Sequence, residues 1–490
     1  MNTYLNADFE HFQSLHHVLS SNLQNHDKKL VNIYRNALKT VRRKLMKTSL
    51  EQFICFGVKS DMPQKQIMAV YAGYSLIGTM LLLLPVSSKC DIPFIDHLFT
   101  VVSAISTTGL ATVDVASAYT FFGQFVILLL IQMGGLGYMT LSSYVMLKLT
   151  GRFGSDKAKL FQIQFAVPDT FDSEVMLKSI VKYTFSFELL GFVLLCPYFL
   201  LQGTAQPVWS AMFHSVSAFC TAGFSIYSDN LMQFQSDVYV NVVIMVLCIA
   251  GAMGFIMMTD ISKWITQKHY KISFTTKVIM SITGMLALWG TVHLYFCEDS
   301  FQHLPVGERW MASLFQSISA MTTVGYNTVD VSQMVPISLL ILTITMYIGA
   351  SPSGTGGGLK STTISALYAY TKCALEFRNK VSLCGNVIPR YRITSALTTV
   401  LFYTFILFVG IYLIGLFEPD DADFLKISFE AVSALATAGL TSGILSDITI
   451  GSKMVLVLLM YIGRVGVITF GNVMLAGKEE SIKGKHDIAV

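Results

Sequence analysis

A frame reading F-x3-S-A-x2-T-x-G occurs four times in this chain, from Phe99 to Gly109, Phe213 to Gly223, Phe315 to Gly325 and Phe429 to Gly439. Ser103, Ser217, Ser319 and Ser433 share one offset, as do the alanines after them and Thr107, Thr221, Thr323 and Thr437. One structural unit is therefore built four times. The stretch from Phe to Thr is mostly apolar, with small Ser and Ala, and makes a helix too short to cross a hydrocarbon core. The Gly stops it. Glycine tolerates backbone angles that expose a row of carbonyl oxygens, and the nearby Thr adds a hydroxyl. The negative C-terminal end of each short helix favours a cation beyond the loop. A re-entrant loop kept for packing accounts for a single copy, but packing does not require four copies with matching offsets.

The chain has 490 residues, 53% hydrophobic and 13% charged, which places it outside soluble domains and among polytopic membrane proteins. Long apolar runs flank each frame. First runs cover about 67–86, 179–201, 274–297 and 393–417, and second runs about 119–148, 237–259, 335–371 and 451–477. Each is long enough to span a bilayer. The frame glycines lie 114, 102 and 114 residues apart, so the repeat is of whole units. The expected fold is all-α: four tandem helix, pore loop, helix units around a pseudo-fourfold pore, with eight transmembrane helices. The expected divisions are a cytosolic basic extension 1–65, pore units 66–148, 149–266, 267–372 and 373–477, and a cytosolic tail 478–490.

Charge orients the chain. Stretches 1–67, 148–182, 260–277, 360–392 and 478–490 hold 29 of the 34 Lys and Arg, so they face the cytoplasm, as do both termini. The frame-bearing stretches carry acids, including Glu418, Asp420, Asp421 and Asp423, and an acidic outer mouth concentrates cations. The extension, with Arg42, Arg43, Lys44 and Lys47, is an amphipathic segment that binds a partner or the anionic inner leaflet, or else a solvated helix without a specific role. The eight cysteines (Cys55, Cys90, Cys196, Cys220, Cys248, Cys297, Cys373 and Cys384) form no metal-ligand pattern and read as core residues. No cofactor and no nucleic acid is expected.

Four loops in one chain can close a ring. Thr107, Thr108 and Gly109, Thr221, Ala222 and Gly223, Thr323, Val324 and Gly325, and Thr437, Ala438 and Gly439 would then line one filter for a monovalent cation. The residues between Thr and Gly differ, so the filter is only pseudo-fourfold, and one Gly per loop makes it short. In the second runs, Gly134 with Gly137, Gly251 with Gly254 and Gly463 with Gly466 let neighbouring helices approach closely. The third unit replaces this pair by GASPSGTGGGLK, residues 349–360, which no straight helix accommodates. Broken backbone at membrane depth lines a cavity or is buried in protein, so residues 351–358, including Ser353, Gly354, Thr355, Gly356, Gly357 and Gly358, read as a mobile loop below the filter. A phosphate-binding loop is excluded by Leu359 at the required glycine and by the lack of a preceding strand. Arg464 lies inside the last apolar run. It acts as an electrostatic barrier to a permeating cation, or only ties backbone carbonyls of the pore loops together. Glu430 is a candidate counter-charge, and Glu188 a structural hydrogen-bonding residue. A membrane enzyme or ATP-driven pump would need a large cytosolic domain, and the internal cytosolic stretches of roughly thirty residues are too short for one.

The four loops, SPSGTGGGLKSTT and the final YIGRVG together resemble the Trk/Ktr/HKT superfamily of potassium transporters over about residues 66–477. The resemblance implies a potassium filter formed by the four loops, an intramembrane gate at Gly354–Gly358, a pore-facing Arg464, and a family position at Lys360. The absence of an apolar pair in residues 1–65 makes the bacterial Ktr membrane subunit the nearer likeness. That implies a homodimer in the bacterial cell membrane, a pore in each protomer, and a cytosolic ring of nucleotide-binding subunits. All four filter glycines are kept, whereas some sodium-selective plant relatives have Ser at the first, which favours potassium. A sodium or mixed monovalent cation pathway is the alternative. Val467 stands where the family often has Pro, and the basic extension is longer than in the family pattern.

Overall fold

A computed structural model describes residues 63–137, 140, 173–419 and 421–475. All of them belong to one body, made of Lys59–Tyr144 and Phe153–Val490. The expected basic extension, apart from residues 63–65, and the expected C-terminal tail lie outside the described residues.

The first apolar runs form α1 (Pro63–Leu82), α4 (Ser173–Gln202), α8 (Phe274–Cys297) and α12 (Arg390–Phe417). The frames form the short helices α2 (Phe94–Ile105), α5 (Pro207–Phe219), α9 (Val306–Thr322) and α13 (Phe424–Leu435). Their starts are written locally: Pro207 occupies the first turn of α5, and Asp423 caps α13 by accepting from Leu425 N. The four frame phenylalanines, Phe99, Phe213, Phe315 and Phe429, are buried. Each short helix thus buries its frame face among other parts of the chain, while its start stays open, with Phe94, Val208, Val306 and Phe424 exposed.

The second runs of the first, second and fourth units depart from the expectation of continuous spans, whereas that of the third breaks where its glycine-rich stretch begins. They begin as α3 (Phe121–Leu136), α6 (Val238–Ala252), α10 (Pro336–Ile348) and α14 (Ile450–Val465), and each stops at a glycine with positive φ: Gly137, Gly254, Gly349 and Gly466. The chain resumes after the stop as α7 (Phe255–Thr266), α11 (Ser361–Leu375) and α15 (Val467–Met474). The turn between α6 and α7 is 103° and that between α14 and α15 is 101°. Glycine stops these helices because it adopts the left-handed backbone at no steric cost. Among the described residues, three helices are long and apolar enough to cross a membrane, or five when each bent pair counts as one span. A hairpin of β1 (Ser382–Leu383) and β2 (Asn386–Val387) lies between α11 and α12.

Packing follows chain order. Within every unit the first helix packs on the frame helix, and the frame helix on the second helix. Between units, α3 packs on α5, α6 on α9, α10 on α13, and α14 on α2. The last of these contacts returns the chain to its first unit. The cysteines divide: Cys220, Cys248 and Cys373 are buried as expected, whereas Cys90, Cys297 and Cys384 are exposed, which corrects the reading of all eight as core. Cys55 is outside the described residues.

Candidate functional site

All four frame helices end in the same way. The N–H of the residue after each frame Thr donates back to the carbonyl of the frame Ser: Thr108 to Ser103 at 2.8 Å, Ala222 to Ser217 at 2.8 Å, Val324 to Ser319 at 3.1 Å and Ala438 to Ser433 at 2.8 Å. This bond forces the Thr into left-handed backbone, with φ of 54°, 51°, 55° and 48° at Thr107, Thr221, Thr323 and Thr437. A β-branched residue at positive φ is a genuine outlier, and here it recurs at one position of four loops. Thr107, Thr221 and Thr323 offset part of the strain by donating Oγ1 to the preceding carbonyl, each at 2.7 Å.

The glycines that follow meet one another's loops. A β-carbon on Gly109 would collide with the carbonyl oxygen of Ala222, on Gly223 with that of Val324, on Gly325 with that of Ala438, and on Gly439 with that of Thr108. The contacts run from loop to loop in chain order and close on the first. Four middle-residue carbonyls and four glycines are thus gathered at one place, with no side chain able to intervene. Such a set of oxygens can replace the hydration shell of a monovalent cation. Among the described residues, no group of His, Cys, Asp and Glu suits a multivalent metal.

The glycine-rich stretch after α10 lies directly against these loops. Thr355 Oγ1 donates to Phe219 O at 3.1 Å and meets Thr221 Oγ1 at 3.1 Å. Gly357 N donates to Thr323 Oγ1 at 2.7 Å. A β-carbon on Gly356 would strike Thr322 O, and one on Gly357 would strike Ala436 O. The stretch therefore touches the second, third and fourth loops at once. It is also tied to the end of α6, through Ser351 N to Ala252 O at 3.2 Å and Thr355 N to Gly251 O at 3.1 Å. Ser353 sits at φ 62° with its carbonyl accepting from Phe255 N at 3.2 Å, Gly354 packs on Ala252 O, and Gly358 turns back onto Gly349.

Two cations hold carbonyls of this stretch. Lys360 Nζ donates to Gly356 O at 2.7 Å. Arg464 Nη1 donates to Thr355 O at 2.6 Å, and its Nη2 donates to Gly134 O. Arg464 thus clamps the glycine-rich stretch to α3. The candidate counter-charge Glu430 is placed elsewhere. Its Oε1 accepts from Thr441 Oγ1 at 2.7 Å, Ser442 N at 2.7 Å and Ser442 Oγ at 2.9 Å, so it shapes the turn after the fourth loop. Glu188 on α4 lies behind the second loop, with Oε1 at 3.7 Å from Cys220 Sγ.

Comparison with known proteins shows the family of the chain. The family model TrkH, described as a cation transport protein, matches residues 55–477. The chain belongs to the TrkH family. It is 32% identical over 426 residues to Ktr system potassium uptake protein B of Vibrio alginolyticus, covering 86% of this chain and 93% of the relative. To the Bacillus subtilis protein of the same name it is 33% identical over 400 residues, covering 81% and 89%. To the potassium/sodium uptake protein NtpJ of Enterococcus hirae it is 33% identical over 422 residues, covering 83% and 91%. The crystal structure of the potassium transporter TrkH from Vibrio parahaemolyticus superposes with a TM-score of 0.69 over 85% of both chains at 20% identity, and so shares the fold. This TrkH-family chain is a helical membrane cation transporter and not an enzyme.

Several contacts of the TrkH-family site are beyond sequence reasoning. Lys453 on α14 pairs with Asp96 on α2 at 2.7 Å, with side-chain exposures of 12% and 7%. Thr112 Oγ1 donates to the same Asp96 oxygen at 2.7 Å. Charged residues at the starts of apolar helices were the only available signal, and it does not name a partner. Glu298 and Glu418, at the ends of α8 and α12, cap the entries to α10 and α14. Glu298 accepts from Val335 N at 3.3 Å and Glu418 from Thr449 N at 3.0 Å.

Proposed function

We propose that this chain takes up potassium across the bacterial cell membrane through a pore whose filter is Thr107–Gly109, Thr221–Gly223, Thr323–Gly325 and Thr437–Gly439. Units 66–148, 149–266, 267–372 and 373–477 are the quarters of this pore, eight spans in all. The observation that carries the reading is the closed sequence of glycine-to-carbonyl contacts, which a loop kept for packing has no reason to form. Residues 351–358 are the gate, held shut by Thr355, Lys360 and Arg464. Arg464 adds a positive charge beneath the filter that opposes cation passage. The potassium assignment is supported by the names of the Vibrio and Bacillus relatives. Those proteins are named as parts of an uptake system, which supports partner subunits; in this reading the chain is a homodimer and its partner is a separate cytosolic nucleotide-binding ring. Both termini are cytoplasmic in this reading. The Enterococcus relative, named for potassium and sodium, favours mixed monovalent cation passage as the second reading.

The test is growth and rubidium uptake at low potassium in bacteria lacking their own potassium uptake, with and without a candidate ring subunit. Gly109→Ser would push a side chain onto the Ala222 carbonyl. It is expected to weaken rescue by about tenfold or more and to admit more sodium. Inserted wild-type protein that gives no rubidium uptake with any ring subunit would overturn the potassium reading in favour of the mixed one.

A further inference from the structure

The four loops are not braced equally just beyond their glycines. In the second loop, the carbonyl of Phe224 accepts two hydroxyls, Ser217 Oγ at 2.9 Å and Tyr326 OH at 2.9 Å. Tyr326 itself follows the third-loop glycine, and its own carbonyl accepts from Ser319 Oγ. Both residues are buried, Tyr326 to 0% exposure and Phe224 to 2%. A backbone bond, Leu231 N to Asn327 O at 3.2 Å, links the same two segments further out. The Tyr326 ring lies 6.1 Å from that of His214, whose Nε2 meets Ser225 Oγ at 2.9 Å, so the hydroxyl cannot swing away without repacking.

The first and fourth loops lack this device. Leu110 and Leu440 stand at the corresponding position and carry no hydroxyl. Ser103 Oγ accepts from Gly109 N at 3.1 Å instead, and Ser433 Oγ has no partner among the described residues.

We propose that the Tyr326 hydroxyl, by bridging from the third loop to the Phe224 carbonyl of the second, is a positioning residue that sets the ion selectivity of this transporter. The proposal rests on the pore reading above. With both lone pairs occupied, the Phe224 carbonyl has none left for a passing ion, and the spacing of two neighbouring glycine loops is fixed. Discrimination between cations of similar charge depends on the size of the oxygen cage and on how far it yields. Two neighbouring quarters of the cage are tied to each other in this way, while the first and fourth loops carry bonds of their own, from Gly109 N to Ser103 Oγ and from Ser442 to Glu430.

The test compares wild type, Tyr326→Phe and Ser217→Ala in the same potassium-uptake-deficient cells, reading the ratio of rubidium to sodium entry alongside membrane abundance and the melting temperature of the purified protein. Tyr326→Phe keeps the buried ring and removes one donor from the Phe224 carbonyl. Ser217→Ala removes the other. Each is expected to lower the ratio about fivefold, the order of one buried hydrogen bond. A wild-type ratio in both variants overturns the proposal, and so does a lowered melting temperature with an unchanged ratio, which marks a merely structural brace. Should Tyr326→Phe fail to insert, Ser217→Ala decides alone. A wild-type protein that shows no preference for rubidium defeats the potassium reading on which the proposal rests, and that outcome is seen before any variant is consulted.

Discussion

Asp114 links the first and second loops through a single carboxylate. Its Oδ1 accepts from Ala116 N at 2.9 Å and its Oδ2 from Ser228 Oγ at 2.7 Å. Partial burial raises its pKa, but hydrogen bonds from Ser117, Ser228 and two backbone amides outweigh burial and hold it below the usual 3.8. The folded value is depressed, so the stabilisation is fully present above the unfolded pKa and lost as pH falls through the folded one. Protection of the Ala116 amide against hydrogen exchange should therefore stay constant from neutral pH down to about 4 and fall only in stronger acid. In Asp114→Asn this acid step should vanish. The residue types of this site were legible in part. The recurrence of the threonines and the glycines followed from one shared spacing, because spacing along a loop is a local property, whereas the left-handed backbone at Thr107, Thr221, Thr323 and Thr437 did not, since a β-branched residue gives no sign of it. The Asp114 to Ser228 bond was not legible, since nothing near either residue says which distant loop will lie beside it.

Gly349–Lys360 is the element on which the three parts of the site converge. A break was legible there because Pro and five glycines cannot continue a helix. The breaks at Gly137, Gly254 and Gly466 were not. One glycine in an apolar run reads equally as a packing contact, and here the pairs do both jobs: Gly134, Gly251 and Gly463 admit the carbonyls of Ile105, Phe219 and Leu435, while the second glycine of each pair ends the helix. Thr355 is the residue of the proposed gate that bonds the second loop directly. Thr355→Ala removes its hydroxyl bonds to Phe219 O and Thr221 while leaving the backbone ties to α6. Two hydrogen bonds of about 1 kcal/mol each should shift the balance towards the open loop by roughly tenfold or more. Faster initial rubidium uptake in the variant is the expected result, and uptake at or below the wild-type rate would count against a gating role for this contact.

At the scale of the whole molecule, the fourth unit must find the first without a covalent link to guide it. The Asp96 to Lys453 pair lies at that seam, together with Tyr461 OH donating to Met68 O at 2.6 Å. Removing one partner of a pair this buried leaves an uncompensated charge, a loss of about 3 to 5 kcal/mol. Lys453→Met should therefore lower the melting temperature of the purified protein sharply, and Asp96→Asn combined with Lys453→Met should recover most of the loss. If the double variant melts no higher than Lys453→Met alone, the pair does not stabilise the seam. The repeat and its order were legible in the sequence; the charge that closes the circle was not, because sequence patterns carry no information across such a separation.

That separation has a consequence for how the protein comes into being. Asp96 and Lys453 are 357 residues apart, and the last loop to be synthesised supplies the carbonyl neighbour that the third requires while taking its own from the first. At ordinary rates of translation the carboxylate precedes its lysine by roughly twenty to seventy seconds. During that interval the four loops emerge one after another and the ring has an open side. Assembly is thus all or nothing in time as well as in space, and a ribosome that stalls before Lys453 leaves behind an unfinished vessel with a charged gap in its wall.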